Sequence, residues 1–339
     1  MSGFKNKPSR LLFVLIFLLP VLLTIVSLSI GSYPIPLKDL GRVFTHALFP
    51  SSAPDVPPAY LDVLFRIRLP RLLLALIVGA SLSVSGASLQ ALFKNPLVNE
   101  FILGISFGAA FGAAVSLVFL GKSFPPQVAA FVFALGAVLA VMVISGRLES
   151  HTVSLLLTGV IVTAFFQALL YLVEFFANPY ALQALFFWLT GSLSLATWKD
   201  LTVSLPLMVF GGTALILLRW RLNVLSLGDE EAAALGVNVR REKLLVIVLA
   251  SMSTAAATAV AGVIGWVGLI VPHLVRMMVG ADNRKVIPLS AALGASILII
   301  ADDITRVVAP FEIPIGILTS LIGIPFFIVL LKKSRKVWL

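Results

Sequence analysis

Long apolar runs separated by short polar connections make up most of the sequence. They fall at about 11–30, 69–92, 98–120, 126–146, 152–175, 201–219, 243–263, 264–280, 286–304 and 313–331. A helix needs roughly 20 apolar residues to cross a bilayer, whereas the strands of a membrane barrel alternate apolar and polar positions. The pattern therefore predicts an all-α integral membrane protein with about ten transmembrane helices, organised as a single transmembrane domain over residues 1–339.

The composition agrees with this class of protein. Of the 339 residues, 60% are hydrophobic and only 12% are charged, and cysteine is absent. Soluble domains carry about 25% charged residues, so the chain has too little polar surface for a soluble enzyme or a nucleic-acid-binding protein. A disulfide scaffold is excluded because there is no cysteine to form one.

The distribution of basic residues indicates the orientation in the membrane. With an inside N-terminus and ten spans, 17 of the 25 Lys and Arg residues lie on the cytoplasmic side, as the positive-inside rule requires. Both termini are then cytoplasmic. The first apolar run follows Lys5, Lys7 and Arg10 and could pass for a signal peptide, but no clear small-residue cleavage site follows it, which favours a retained helix.

Two polar segments stand out between the apolar runs. Residues 31–65 are rich in proline, which indicates an external loop, with a short interfacial helix as an option. Residues 220–243 form the longest polar stretch between two spans. Within it, Asp229 and Glu230 precede a run of alanines and Gly236 follows the run, which predicts a short cytoplasmic helix that is available to a partner.

Three glycines recur every four residues inside one apolar run, at Gly104, Gly108 and Gly112. This spacing places them on one helix face and indicates close helix packing, with a pathway wall as the alternative. The same run also contains a G-x-S-x-G pattern around Ser106, which raises an intramembrane serine hydrolase with His273 as the base. That pattern is weak here because glycine and serine are abundant.

Other candidate sites in the sequence are incomplete. Gly121-Lys122-Ser123 resembles the end of a phosphate-binding loop, but Ser116 stands where the motif requires its first glycine. Asp302-Asp303 and Glu174 could indicate a metal site or ion coupling, yet a secondary transporter normally shows a chain of such groups at mid-membrane. We therefore expect no catalytic residue, cofactor or metal site, and any ATP that drives this protein would bind to another chain.

Arginines near the outer ends of two runs go against the charge rule. Arg68 and Arg71, with Arg66 just before them and Arg306 at another helix end, lie on the predicted external side. Arginines gathered on one face would suit carboxylates of a docking protein, because a guanidinium pairs with a carboxylate through two hydrogen bonds. The alternative is that they anchor helix ends at the membrane surface.

Several stretches together resemble the FecCD-type permeases of ATP-driven importers, the group that includes vitamin B12, haem and ferric-siderophore permeases. The resemblance covers about residues 66 to 331. It rests on these stretches: Arg68-Leu69-Pro70-Arg71, Gly86-Ala87-Ser88-Leu89-Gln90, Asn95-Pro96-Leu97, Leu103-Gly104-Ile105-Ser106, Leu227-Gly228-Asp229, Val267-Gly268-Leu269-Ile270-Val271-Pro272-His273, Ala301-Asp302, and Pro314-Ile315-Gly316 through Gly323-Ile324-Pro325-Phe326-Phe327.

The resemblance implies a type II ABC importer permease. It implies a second copy of the chain, two cytoplasmic ATP-binding subunits, an extracytoplasmic substrate-binding protein, and a bacterial or archaeal plasma membrane, which is the inner membrane in a Gram-negative source. By this resemblance Arg68, Arg71 and Arg306 face acidic residues of the binding protein. The ATPase coupling helix corresponds to Asp229, Glu230, Glu231, Ala232, Ala233, Leu235 and Gly236.

A mechanism by alternating access follows from this resemblance as a hypothesis. Closure of the ATPases would move the coupling helix, and packed helices would tilt to switch the path along the homodimer interface. Small residues at Gly79, Ser83, Gly86, Gly108 and Gly112 would let helices slide. The cargo stays open between a metal chelate (ferric siderophore, haem or cobalamin) and an oxyanion such as molybdate, and an ion-coupled secondary transporter is the less favoured alternative.

Overall fold

A computed structural model describes residues 10–49, 56–146, 152–308 and 311–334, and every regular element within these ranges is helical. Lys5, Lys7 and the tail beyond Ser334 lie outside the described residues. The helices are α1 (Arg10–Ser27), α2 (Leu37–Leu48), α3 (Pro58–Leu61), α4 (Leu69–Leu92), α5 (Ile105–Val115), α6 (Pro126–Ile144), α7 (Thr152–Phe176), α8 (Pro179–Leu189), α9 (Trp198–Leu217), α10 (Arg219–Leu225), α11 (Asp229–Ala234), α12 (Val239–Ala261), α13 (Val267–Val279), α14 (Asn283–Val307) and α15 (Ile315–Ser334).

Six helical segments among the described residues are long and apolar enough to cross a bilayer. They are Pro58–Leu92, Pro126–Ile144, Ser154–Phe176, Trp198–Leu217, Val239–Ala261 and Asn283–Val307. Five further apolar helices are shorter, at Leu11–Ser27, Ile105–Leu120, Pro179–Leu189, Val267–Val279 and Ile315–Val329. Each of the ten predicted apolar runs therefore contains a helix. The all-helical membrane fold is confirmed, while the count of ten crossings and the side of each terminus stay predictions.

Helix α4 forms the centre of the bundle. It packs against α14, α12, α9 and α13, and nearly all of its side chains are buried. Small residues make this contact close: a methyl group added at Gly79 would overlap the carbonyl oxygen of Gly294, and one added at Gly86 would overlap that of Gly268. Ser83 packs against Gly294 between these two contacts. Small residues that let backbones approach are the usual means of helix association in membranes.

A second close contact joins α5 to α6. A methyl group added at Gly108 would lie 2.7 Å from the carbonyl oxygen of Phe133, and one added at Gly112 would overlap that of Ala129. Gly104 differs from these two glycines because it precedes α5 in a left-handed conformation, with φ of 74°. The even spacing therefore corresponds to two packing glycines and one glycine at a helix start.

Helices α13 and α8 are each too short to cross the membrane alone. Helix α13 has 13 residues, about 20 Å at 1.5 Å per residue, against a hydrocarbon core of about 30 Å. It is separated from α12 by a non-helical segment that contains Gly262 and ends at Trp266. Helix α8, with 11 residues, was not among the predicted helices. Irregular backbone at membrane depth occurs where it is buried in protein or lines a cavity.

The predicted external loop contains helices of its own. Helix α2 packs on the bundle through Leu40 and Val43. A π-helical turn over Asp62–Arg68 joins α3 to α4 without interruption, so the second spanning helix begins earlier than the apolar run indicates. We call the end of the bundle that carries Arg68 the outer end, and the end that carries α11 the inner end, following the predicted orientation.

Candidate functional site

Arg71 is the centre of a buried ion cluster at the outer end. Its Nε lies 2.9 Å from Oδ1 of Asp302 on α14, and its Nη1 lies 2.7 Å from Oε1 of Glu312 in the connection to α15. The side chain of Arg71 is 4% exposed and that of Asp302 is fully buried. Both acidic partners are more than 230 residues away in the sequence, so this cluster ties α4 to the C-terminal part of the bundle.

Arg306 and Arg68 extend the cluster toward α1. Arg306 pairs with Asp302 at 3.1 Å and with Asp303, and its Nη1 donates to the carbonyl oxygen of Ile30 at 3.1 Å. Arg68 donates through Nη1 to the carbonyl oxygen of Leu28 at 2.6 Å, and through Nη2 to that of Tyr33. These hydrogen bonds attach the connection after α1 to the outer ends of α4 and α14.

The three arginines assigned to docking are thus buried and bonded inside the chain. They are 4% (Arg68), 4% (Arg71) and 8% (Arg306) exposed. By contrast, the side chain of Arg66 is 81% exposed and pairs with Asp62, one helical turn away at 3.1 Å. The structure therefore shows a scaffold role for the first three, while their contact with a binding protein stays a prediction.

Glu312 connects the ion cluster to a large cleft at the outer end. Burial alone would raise the pKa of its carboxyl, but hydrogen bonds from Arg71 and Ser194 outweigh burial and lower the pKa below its usual value. The cleft has a volume of about 880 Å³. Its walls come from α8 and the connection after it, the outer ends of α6, α9 and α12, and the segment before α15.

Three chain segments meet beside this cleft, at the ends of helices. The backbone N–H of Ser192 donates to the carbonyl oxygen of Ala261, that of Ile315 to Gly191, and that of Gly316 to Thr190, each at 2.9 Å. These bonds join the C-terminal ends of α8 and α12 to the start of α15. Because they satisfy backbone groups that the interrupted helices leave free, the break is stable at membrane depth.

The inner end carries the predicted short helix, which the structure shows as α11. Its N-terminal Asp229 pairs with Lys243 at the base of α12, and Arg221 on α10 pairs with Glu242. Within this helix and its continuation only Ala232 is buried. The exposed residues are Asp229, Glu230, Glu231, Ala233, Ala234, Leu235 and Gly236. Leu235 is 63% exposed.

An amide side chain connects this inner segment to α14. Asn223 on α10 donates through Nδ2 to Oδ1 of Asp282 at 2.7 Å, and its Oδ1 accepts from the backbone N–H of Asn283, also at 2.7 Å. Hydrogen bonds from Arg284, and then from Asn223, lower the pKa of the Asp282 carboxyl to about 2 against the effect of burial. These hydrogen bonds therefore link α10, which precedes α11, to α14, the helix whose other end carries Asp302.

Sequence comparison identifies relatives along nearly the whole chain. The sequence profile of the FecCD transport family matches residues 18–333. The "Probable iron chelatin transport system permease protein" of Helicobacter pylori is 38% identical over 317 residues, which cover 94% of this chain and 97% of the relative. The "Molybdate import system permease protein MolB" of Haemophilus influenzae is 37% identical, with 96% of each chain covered.

A comparison of folds gives the same result. A solved structure described as an inward-facing conformation of a metal-chelate type ABC transporter superposes with a TM-score of 0.85 at 37% identity, over 96% of this chain and 99% of the other.

The chain belongs to the FecCD transport family.

This membership makes the protein a transmembrane ABC permease, so the resemblance read from the sequence is confirmed. Permease subunits of this family are not catalytic themselves. In the FecCD permease, no hydrogen bond among the described residues joins Ser106 on α5 to His273 on α13, and the described parts hold no cluster of three or more potential metal ligands. Asp302 and Asp303 instead bind Arg71 and Arg306.

Sequence reasoning did not find the outer cleft. Helix α8 and its connection contribute Phe186, Phe187, Ser192 and Ser194 to the cleft wall. Helix α8 is too short to register as a span. The available signal was Asn178-Pro179, since an asparagine N-cap followed by proline begins a helix, and Asn178 does accept from the backbone N–H of Ala181 at 2.9 Å.

Proposed function

We propose that this FecCD permease is the membrane subunit of an ATP-driven importer for a metal chelate of the ferric siderophore, haem or cobalamin class. The observation that carries the proposal is the match over 96% of the chain to a metal-chelate type ABC transporter. The iron chelatin permease relative is consistent with the same cargo class. Import is proposed to occur at the plasma membrane, with the cargo delivered by an extracytoplasmic binding protein.

The proposed complex contains two copies of the permease and two ATP-binding subunits. The exposed inner surface of α11 supports an ATPase contact, because Glu230, Glu231 and Leu235 are exposed and the Asp229–Lys243 pair fixes the helix to α12. A helix that is fixed to the bundle on one side and exposed on the other can pass a movement of the ATPase to the bundle. The proposed coupling residues are therefore available at the surface without being part of the core.

The proposed mechanism is alternating access along the interface of the two copies. Helices α4 and α14 pack closely and are linked at the outer end by the ion cluster, so they would move as one body. The shorter helices α8 and α15 meet at a backbone junction, and they would change tilt together with α13. A conformational change of this kind requires that ATP and the binding protein favour different states.

The test is cargo uptake into proteoliposomes that hold the permease with its ATPase and receive binding protein outside. Uptake should require ATP inside the ATPase-containing vesicles and should be absent from vesicles that hold the permease alone. Imposed proton or sodium gradients should not replace ATP. Gradient-driven uptake by the isolated permease would contradict the proposal and would favour an ion-coupled secondary transporter.

An oxyanion is the second candidate cargo, because the MolB relative is 37% identical over nearly its full length. The two cargo classes are separated by direct identification of the ligand that the partner binding protein retains. A metal chelate in the purified binding protein supports the first candidate, and molybdate or a similar anion supports the second.

Docking of the binding protein at the outer end is part of the same proposal. Arg68, Arg71 and Arg306 hold the loops of that face in place, so their replacement should weaken docking through the surface they shape. Charge reversal at exposed Arg66 distinguishes a direct charge contact with the binding protein from an effect on the shape of the surface. It changes the charge of the face and leaves the ion cluster intact. Binding-protein affinity that falls only with the buried arginines would support an indirect role.

A further inference from the structure

We infer that the outer cleft selects cargo by charge and admits uncharged or positively charged chelates in preference to anionic ones. This inference rests on the proposed function and narrows its cargo class. It starts from the ionisable side chains of the cleft wall. Only Asp200 and Glu312 are ionisable among the described lining residues, both are acidic, and no lysine, arginine or histidine lines the cleft.

Arg71, the cation that pairs with Glu312, is buried behind the cleft wall. The side chain of Glu312 is 43% exposed, whereas that of its partner Arg71 is 4% exposed. Asp200 accepts hydrogen bonds from Thr197 at the start of α9, and among the side chains that the structure describes no ion pair joins it to a cation. The accessible surface is therefore negative although the neighbouring ion cluster contains three arginines. A cleft with low-dielectric walls concentrates such a field and raises the local concentration of cations.

The remaining lining residues suit the same cargo. Gln127, Ser192 and Ser194 supply hydrogen-bonding groups, and aromatic surface comes from Phe186, Phe187, Trp188 and Phe311. Aromatic faces attract cations. Anion sites instead use arginine or free backbone N–H groups, and the N–H groups of Ile315 and Gly316 beside the cleft are already bonded to Gly191 and Thr190.

The volume also favours a bulky ligand. A cleft of about 880 Å³ lies within the range of about 300–1,000 Å³ that small-molecule sites occupy. An oxyanion would fill a small part of it and would find no positive group to hold it. The cleft thus combines the size expected for a chelate with a wall that repels negative charge.

The absence of cysteine from the chain permits a direct measurement of this preference. Leu195 lies in the cleft wall and is 89% exposed. In a Leu195→Cys variant of the full-length permease, we compare the modification rates by a trimethylammonium and a sulfonate methanethiosulfonate, each divided by its rate with a free thiol. The cationic reagent should react about tenfold faster, the lower end of field focusing in charged clefts.

The control is Leu48→Cys on α2, which is 71% exposed at the outer end but outside the cleft; there the corrected rates should agree within about twofold, as expected without focusing. Substituting Asp200→Asn and Glu312→Gln should bring the ratio at position 195 to the control value. High salt should do the same in the otherwise unchanged protein, because it screens the field. Equal rates, or a faster anionic reagent, at position 195 would overturn the inference.

Uptake by the complete importer then tests the choice of cargo. The probes are one ferric trihydroxamate with a free amine, its uncharged N-acetyl derivative and its anionic N-succinyl derivative, which differ mainly in charge. Uptake should fall in that order, and fastest import of the anionic derivative would overturn the inference. A complex that hydrolyses ATP but does not import even the ligand that its own binding protein retains would contradict the proposed function instead, since the measurement at position 195 needs neither ATP nor cargo.

Discussion

Charged residues gather at both ends of this FecCD permease, but the two groups are placed differently. At the outer end Arg68, Arg71 and Arg306 are buried and bonded to carboxylates and carbonyl oxygens. At the inner end the acidic residues of α11 are exposed, and one ion pair to α12 braces them. Charged residues therefore stabilise the fold at one end and are exposed at the surface at the other. Burial, rather than charge itself, distinguishes these roles.

The largest expected effect is on the buried cluster. Asp302→Ala leaves Arg71 and Arg306 buried without the carboxylate they share, and breaking a buried pair costs about 3–5 kcal/mol. Unfolding of the purified permease in detergent, followed by circular dichroism, measures the loss. The matched control is Asp62→Ala, which removes the exposed partner of Arg66 and should cost less than about 1 kcal/mol. Similar losses in both variants would remove the distinction between the two kinds of charge.

A smaller effect should follow when close packing of the scaffold is disturbed without changing any charge. Gly86→Ala places a methyl group against the carbonyl oxygen of Gly268, and overpacking of this kind costs about 1–3 kcal/mol. The control is Gly136→Ala in α6, where an added methyl group meets nothing within 4 Å. That variant should be neutral or slightly stabilised because alanine favours the helix. Equal stability of the two variants would argue against close contact between α4 and α13.

At the inner end the same kind of measurement should show almost no change in stability. Ala233→Asp alters an exposed residue of α11 and should change the free energy of unfolding by less than about 0.5 kcal/mol. It should nevertheless abolish co-purification of the ATPase, because it places a new charge in the proposed contact. The control, Ala59→Asp, makes the same change at an exposed residue near the outer end. Retained ATPase association in Ala233→Asp would count against the coupling role.

The smallest effect concerns pH at the joint between α10 and α14. The pKa of Asp282 is lowered from 3.8 to about 2 by hydrogen bonds from Arg284 and Asn223. Its ionised form therefore stabilises the folded state above pH 4, and this contribution is lost as the pH falls toward 2. The side chain of Asp282 is 24% exposed and that of its partner Arg284 is 58% exposed, so screening by solvent keeps the contribution small. Asp282→Asn should reduce the acid sensitivity of unfolding over this range, and an unchanged pH profile would contradict the assignment.

Features set by local sequence were predictable, whereas those set by distant contacts were not. The apolar runs predicted a helix in each of ten places, and the acidic start and glycine stop predicted α11. The partners of Arg71 could not be read from the sequence, because Asp302 lies 231 residues away. An exposed docking arginine and a buried scaffold arginine look the same in a sequence, since both stand at the end of an apolar run.

Helix α8 shows a different limit. Its 11 residues are too few to register as a span, so the segment reads as part of a connection between α7 and α9. The end of this helix is held by hydrogen bonds in which the backbone N–H groups of Ile315 and Gly316 donate to the carbonyl oxygens of Gly191 and Thr190. Contacts of this kind involve residues of no distinctive type, and for that reason the outer cleft became visible only in the folded chain.

The proposed mechanism depends most on contact between α11 and the ATPase. A photo-activated cross-linker on Leu235→Cys, in a chain that has no other cysteine, tests this contact in native membranes. The predicted result is a covalent product between position 235 and the ATPase subunit, with none from Leu48→Cys at the outer end. If ATP-driven uptake proceeds normally while position 235 yields no product with the ATPase, the proposed contact is wrong.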